Sequence, residues 1–133
     1  MVRNKGHYAG LIILMSVFLT IFLFNLNDDF KNLNHEEFSQ VIDSKDVFVI
    51  NTHTPYMGEI EGTDLIAENW ENMELYEEKL PDDKNTLIAV YCRSGRMSES
   101  AAEQLYEMGY RNIHNLEGGM ISWEQNGREI IQE

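Results

Sequence analysis

The residues whose types and spacing best suit chemistry are Cys92-Arg93-Ser94-Gly95-Arg96-Met97-Ser98. They set one thiol beside two guanidinium groups in a chain that otherwise carries 23 Asp and Glu against 10 Lys and Arg. No acid interrupts this local reversal of sign before Glu99. Thr86–Tyr91 ahead of the loop is apolar, as a buried strand is. Ala101, Ala102, Leu105 and Met108 behind it recur at helical spacing, with Ser98 expected as the helix cap and Gly109 as its stop. A thiol between such a strand and helix faces unpaired backbone N–H groups and the positive end of the helix dipole. A tight turn through Gly95 aims further amides inward, as an anion-holding nest does. Each of these terms favours thiolate over thiol, the form that acts as a nucleophile. Cys92 is therefore the candidate nucleophile. Arg93, Ser94, Gly95, Arg96, Met97 and Ser98 are the candidate binding group for a small anionic substrate. A lone cysteine is more often a small buried hydrophobe, so the case rests on these neighbours.

Strands alternating with helices are expected to position this loop. Asn34 with Glu37 forms a capping-box pattern ahead of a helix carrying Phe38, Val41 and Ile42 on one face, which Ser44-Lys45-Asp46 ends. Val47–Ile50 is a continuous apolar run, as in a strand covered on both faces. Residues 51–81 are irregular, with Pro55, Gly58 and Gly62 in a loop and a short helix expected within 66–80. Asn112–Leu116 is a third strand, Gly118-Gly119 a turn, and Met120–Gln125 a last helix closed by Asn126-Gly127. The implied class is α/β, a small, mostly parallel sheet flanked by helices.

Composition narrows the functions. A length of 133 residues allows one domain, and 43% hydrophobic residues with 2 prolines describe a globular chain. A net charge of −13 repels phosphate backbones and argues against nucleic-acid partners. One cysteine excludes an intramolecular disulfide and a cysteine-based zinc site, and His7, His35, His53 and His114 lack ligand spacing, so no metal is expected. His53 reads as a solvated loop histidine, and Glu99, Glu103 and Glu107 as a solvated helix face. Trp70, Trp123 and Tyr106 read as packing residues.

The first 26 residues differ in kind. Arg3 and Lys5 precede Ala9–Phe24, which holds no charged residue and is apolar on every helical face. Such a run spans roughly 24 Å as a helix, near the lower limit for a bilayer core of about 30 Å. Bulky residues around Leu23-Phe24-Asn25-Leu26 argue for an uncleaved signal anchor over a cleaved signal peptide. The basic flank would stay inside, setting the domain outside the cytoplasm; secretion after cleavage is the alternative. The expected organisation is residues 1–26 as a transmembrane anchor, 27–33 as a polar spacer and 34–133 as the domain.

The loop CRSGRMS, with the tail Asn115-Leu116-Glu117-Gly118-Gly119, Trp123 and Gly127, resembles the rhodanese family over nearly all of residues 34–130. That resemblance implies a sulfurtransferase with a rhodanese-like fold. Cys92 would carry sulfane sulfur as a persulfide, taken from a thiosulfate-like anion and passed to a nucleophilic acceptor, which a protein could supply. The backbone from Arg93 to Met97 would cradle the outer sulfur, with Arg93 and Arg96 orienting the donor and no cofactor required. Two departures stand out. Asn51-Thr52-His53 occupies the place of the family's Asp-x-Arg pair, displacing a salt bridge. Glu59 replaces a family histidine and is expected to add negative charge near the site entrance. A membrane-tethered persulfide carrier or interaction module with little turnover is the rival of a different class. An arsenate reductase or phosphatase on the same fold needs His-Cys and an arginine closing the loop six positions after the cysteine. Here Tyr91 precedes the cysteine and Ser98 holds that closing position.

Overall fold

The apolar runs Val47–Asn51 (β2) and Leu87–Tyr91 (β4) pair in parallel in the middle of a sheet. The computed structural model describes residues 12–16 and 29–132. Lys31–Leu33 (β1), Leu65–Ile66 (β3) and Ile113–Leu116 (β5) complete the sheet in the order β1-β5-β4-β2-β3, every pair parallel. His35–Ile42 (α1), Arg96–Glu107 (α2), Gly119–Gln125 (α3) and a 3-10 helix at Met73–Lys79 cover it.

The central strand shows why its sequence is apolar without alternation. Ile88 and Val90 join a core with Met73, Ala101, Ala102 and Leu105, whereas Ala89 and Tyr91 join a second core with Phe38, Met120 and Trp123. All four strand residues are fully buried. A parallel strand with helices on both faces has no solvent side to mark with polar residues. Burial of each large apolar side chain stabilises by about 1.5–3 kcal/mol.

Helix α1 starts as its capping box predicts. Asn34 Oδ1 accepts the Glu36 and Glu37 N–H groups at 2.9 and 3.0 Å, and Glu37 Oε2 accepts the Asn34 N–H at 3.0 Å. Two expectations change. Part of the expected spacer, Lys31–Leu33, is an edge strand in register with His114–Leu116, fastened by the Asn115 side-chain amide donating to Asn32 Oδ1 at 2.8 Å. Three residues are too few to display a strand's period. The helix expected within 66–80 is the 3-10 helix, preceded by the two-residue β3. Of the expected anchor, residues 12–16 are helical and exposed, and the remainder lies outside the described residues. Among the described residues no helix is long and apolar enough to cross a membrane.

Tyr91, the last residue of β4, ties the sheet to the loop after β2. Its hydroxyl accepts the Ile60 N–H at 2.9 Å and lies 2.7 Å from the Thr63 hydroxyl. Burial raises its pKa from 10.0 to about 12, so the native state holds the neutral phenol more firmly than the unfolded chain does. The associated stability is complete below pH 10 and is lost between there and about 12, roughly 2–3 kcal/mol at about 1.4 kcal/mol per unit. Tyr91→Phe is expected to cost about 1–3 kcal/mol at neutral pH by stranding the Ile60 N–H. It should also flatten the alkaline loss in denaturant titrations at pH 8 and pH 11. An equal alkaline loss in the variant would assign that loss to other groups.

Candidate active site

Cys92 follows β4 directly, at the carboxyl edge of the sheet centre. In the neighbouring β2, Asn51 stands in register with Tyr91. Beyond β2 the chain leads to β3 on one side, whereas beyond β4 it leads through α2 to β5 on the other. Connections diverging from adjacent parallel strands open a crevice between their loops, the usual ligand position in such sheets. The crevice is a cavity of about 250 Å³ lined by His53 from the first loop, Cys92, Arg93, Ser94, Arg96 and Met97 from the second, and Trp70.

The cysteine loop folds around the sulfur. Gly95, at φ +106°, turns the chain so that its N–H donates to Cys92 Sγ at 3.0 Å. This turn starts α2 at Arg96, with Gly95 as the cap; Ser98, expected there, instead sits buried in the first helical turn. Its Oγ lies 3.4 Å from Sγ and 3.0 Å from the Gly95 carbonyl oxygen, and its single proton serves one or the other. Cys92 is 1% exposed; Arg93, Ser94 and Arg96 are exposed at the rim, and Met97 is half-buried. Arg93 Nη1 lies 3.5 Å from Met57 Sδ.

The Gly118-Gly119 tail holds this loop from behind. The Met120 and Ile121 N–H groups donate to the Cys92 and Arg93 carbonyl oxygens at 2.9 and 3.0 Å. In a trans peptide the N–H points opposite the carbonyl, so the amides following those carbonyls face away from α3. Gly119, at φ +58°, permits this approach: a Cβ there would lie 2.5 Å from the Arg93 carbonyl carbon and oxygen, and closer still to the Cys92 carbonyl oxygen.

The departures at 51–53 and 59 take definite forms. Asn51 replaces an ionic tie with neutral hydrogen bonds, its amide donating to the Gly58 carbonyl at 3.0 Å and its Oδ1 accepting the His53 N–H at 2.9 Å. Glu59 does not line the cavity. It bridges Ile131 through paired backbone bonds of 2.8 Å, and its Oε2 accepts the Tyr56 hydroxyl at 3.0 Å. His53 is not a solvated histidine: it is 7% exposed, lines the cavity, and has both ring nitrogens buried without a hydrogen-bond partner. Burial and, secondarily, the Arg93 charge lower its pKa, so the imidazole is neutral near pH 7. Trp70 is half-buried in the cavity wall, held by Gln104 Nε2 donating to its carbonyl at 2.8 Å. No short-range signal marks either residue. Glu99, Glu103 and Glu107 are exposed, as expected. Among the described residues no three His, Cys, Asp or Glu side chains cluster as metal ligands would.

Comparisons with known proteins bear on the family and the fold. The model of the rhodanese-like domain matches residues 26–126. A sulfurtransferase of Allochromatium vinosum is 30% identical over 103 residues, covering 74% of this chain and 92% of that protein. The thiosulfate sulfurtransferase GlpE of Pseudoalteromonas translucida is 24% identical over 77% of this chain and 97% of its own length. A tRNA uridine(34) hydroxylase of Photorhabdus laumondii is 26% identical over 73% of this chain, which spans only 29% of that protein. Among solved structures, a rhodanese-related protein of Thermoplasma volcanium superposes with a TM-score of 0.63 at 24% identity, covering 77% of this chain and 99% of that one.

Proposed function

Because the chain belongs to the rhodanese-like domain family, whose matched relatives include sulfurtransferases, we propose that it moves sulfane sulfur from a thiosulfate-like anion to a nucleophilic acceptor through a persulfide on Cys92. The observation that carries this reading is the Gly95 N–H at 3.0 Å from Cys92 Sγ, within a loop rimmed by Arg93 and Arg96. A backbone donor already aimed at the sulfur needs no reorganisation as negative charge moves on and off that atom. In the first half-reaction the thiolate attacks the outer sulfur of thiosulfate. The Sγ–S bond forms, the donor's S–S bond breaks, and sulfite leaves with the electron pair. In the second, the acceptor attacks the outer sulfur and Cys92 recovers its thiolate. The exposed arginines orient and partly neutralise the anionic donor. The phosphatase-like reading gains nothing, because buried Ser98 occupies the position its closing arginine would need.

Intact mass of the full chain in detergent, before and after thiosulfate and then cyanide, tests the reading. The expected result is a gain of one sulfur that cyanide removes, with thiocyanate accumulating over many cycles. No gain rejects a small-molecule donor; a gain without repeated turnover selects the persulfide carrier.

We further propose that residues 1–26 act as an uncleaved anchor with the domain outside the cytoplasm, on the strength of Arg3 and Lys5 before the uncharged run Ala9–Phe24. The chain should then resist alkaline carbonate extraction from membranes and be cut by protease added to intact cells. Release by carbonate would overturn the anchor, and a shortened mature N-terminus would select cleavage.

A further inference from the structure

His53 is the one residue lining the cavity whose polar atoms are buried and unsatisfied. It is 7% exposed, its ring nitrogens have no hydrogen-bond partner, and its backbone is held by the Asn51 side chain at 2.9 Å. A buried imidazole left without partners carries a desolvation cost that folding alone does not explain. A ligand in the cavity could supply the missing partner. The other polar side chains of the lining are no bases at neutral pH: Arg93 and Arg96 are permanent cations that accept no proton, and the Ser94 hydroxyl is far less basic than an imidazole. His53 alone can accept a proton there once Cys92 carries a sulfur.

We infer that His53 is the general base of the second half-reaction and that the acceptor it serves is a protonated thiol. This rests on the persulfide reading above. The thiol S–H gives its proton to a His53 ring nitrogen, and its sulfur attacks the outer sulfur of the Cys92 persulfide. The new S–S bond forms as the Sγ–S bond breaks, and the electron pair returns to Cys92. The imidazolium then releases its proton to the product persulfide or to water. No oxidant or reductant is required. The lowered basicity of His53, set by burial and by Arg93, keeps the ring neutral and ready to accept at neutral pH. The wall residues Trp70 and Met97 suit an acceptor with an organic body beside its sulfur.

The test discharges a preloaded persulfide on the full chain with either dithiothreitol, which must lose a proton, or sulfite at a pH where it is already ionised. In His53→Gln and His53→Asn the ratio of thiol to sulfite rates should fall about 100-fold near pH 7, the usual size of a general-base contribution. The ratio should return toward the wild-type value above the thiol's own pKa, where no base is needed. A ratio unchanged at pH 7, or lowered equally at every pH, overturns the assignment and leaves His53 a packing residue. Because both rates come from the same loaded protein, a folding defect cancels in the ratio. Failure of the wild type to load from thiosulfate would count against the persulfide reading, and loading from a protein-bound donor would then allow the same ratio to be measured.

Discussion

Cys92→Ser is expected to abolish sulfur loading from thiosulfate, a loss on the order of 10⁴-fold or more, while the chain still folds. A serine Oγ in this position keeps the Gly95 N–H and the Ser98 hydroxyl as neighbours, so the loop retains its partners. What disappears is the polarisable, readily ionised atom. A serine hydroxyl is not ionised at neutral pH, and the base lining the cavity, His53, has its basicity lowered by burial and by Arg93, too far to draw the proton from an alcohol. The substitution should change stability by no more than about 1–2 kcal/mol, since Cys92 is small and nearly isosteric with serine. Mass spectrometry after thiosulfate checks the first statement and thermal unfolding the second. A sulfur adduct surviving in a folded Cys92→Ser chain would move the chemistry elsewhere.

Gly119→Ala is expected to damage both fold and site, although Gly119 touches no substrate. Two costs combine. A φ of +58° disfavours any residue with a Cβ by roughly 1–2 kcal/mol, and the added carbon meets backbone atoms of Cys92 and Arg93 that cannot swing away as a side chain can. Relief requires α3 to retreat from the loop, which breaks the Met120 and Ile121 bonds to the Cys92 and Arg93 carbonyls. The expected loss is about 3–5 kcal/mol of stability. Loading of any folded remainder should slow at least tenfold. Gly127→Ala supplies the comparison: it has positive φ (+76°) but nothing within 4 Å of its Cβ, so it bears the conformational cost alone, about 1 kcal/mol. Equal melting temperatures for the two variants, with equal loading rates, would refute the role given to the close approach.

These two residues also mark what can be read from sequence and what cannot. Cys92 was legible because its setting is local. An apolar run, a turn glycine and a helical period lie within a few residues on either side, and strand, loop and helix start are decided by interactions at that range. The capping box at Asn34 and Glu37, the apolar β4 and the stop at Gly109 were legible for the same reason. The Gly118-Gly119 tail was visible as a pattern, but the Cβ clearance it provides depends on where α3 rests against the loop.

Tertiary structure alone decided the rest of the site. His53 and Cys92 line one cavity because β2 and β4 pair in parallel with Asn51 opposite Tyr91, a register set by two cores packed on both faces of the sheet. Nothing in the composition of Asn51-Thr52-His53 distinguishes a solvated loop from a cavity wall. Glu59 is fixed outside the cavity wall by its bridge to Ile131, a residue far along the chain. Lys31–Leu33 became a strand only because β5 presented an open edge. Ser98 lost its capping role because Gly95 turned early, and its hydroxyl then met the sulfur. Backbone propensity and side-chain period act over one turn or one strand, and they determined the elements and the nucleophile. Which loops share a crevice follows from strand order and register, and those emerge only when distant apolar faces are buried together.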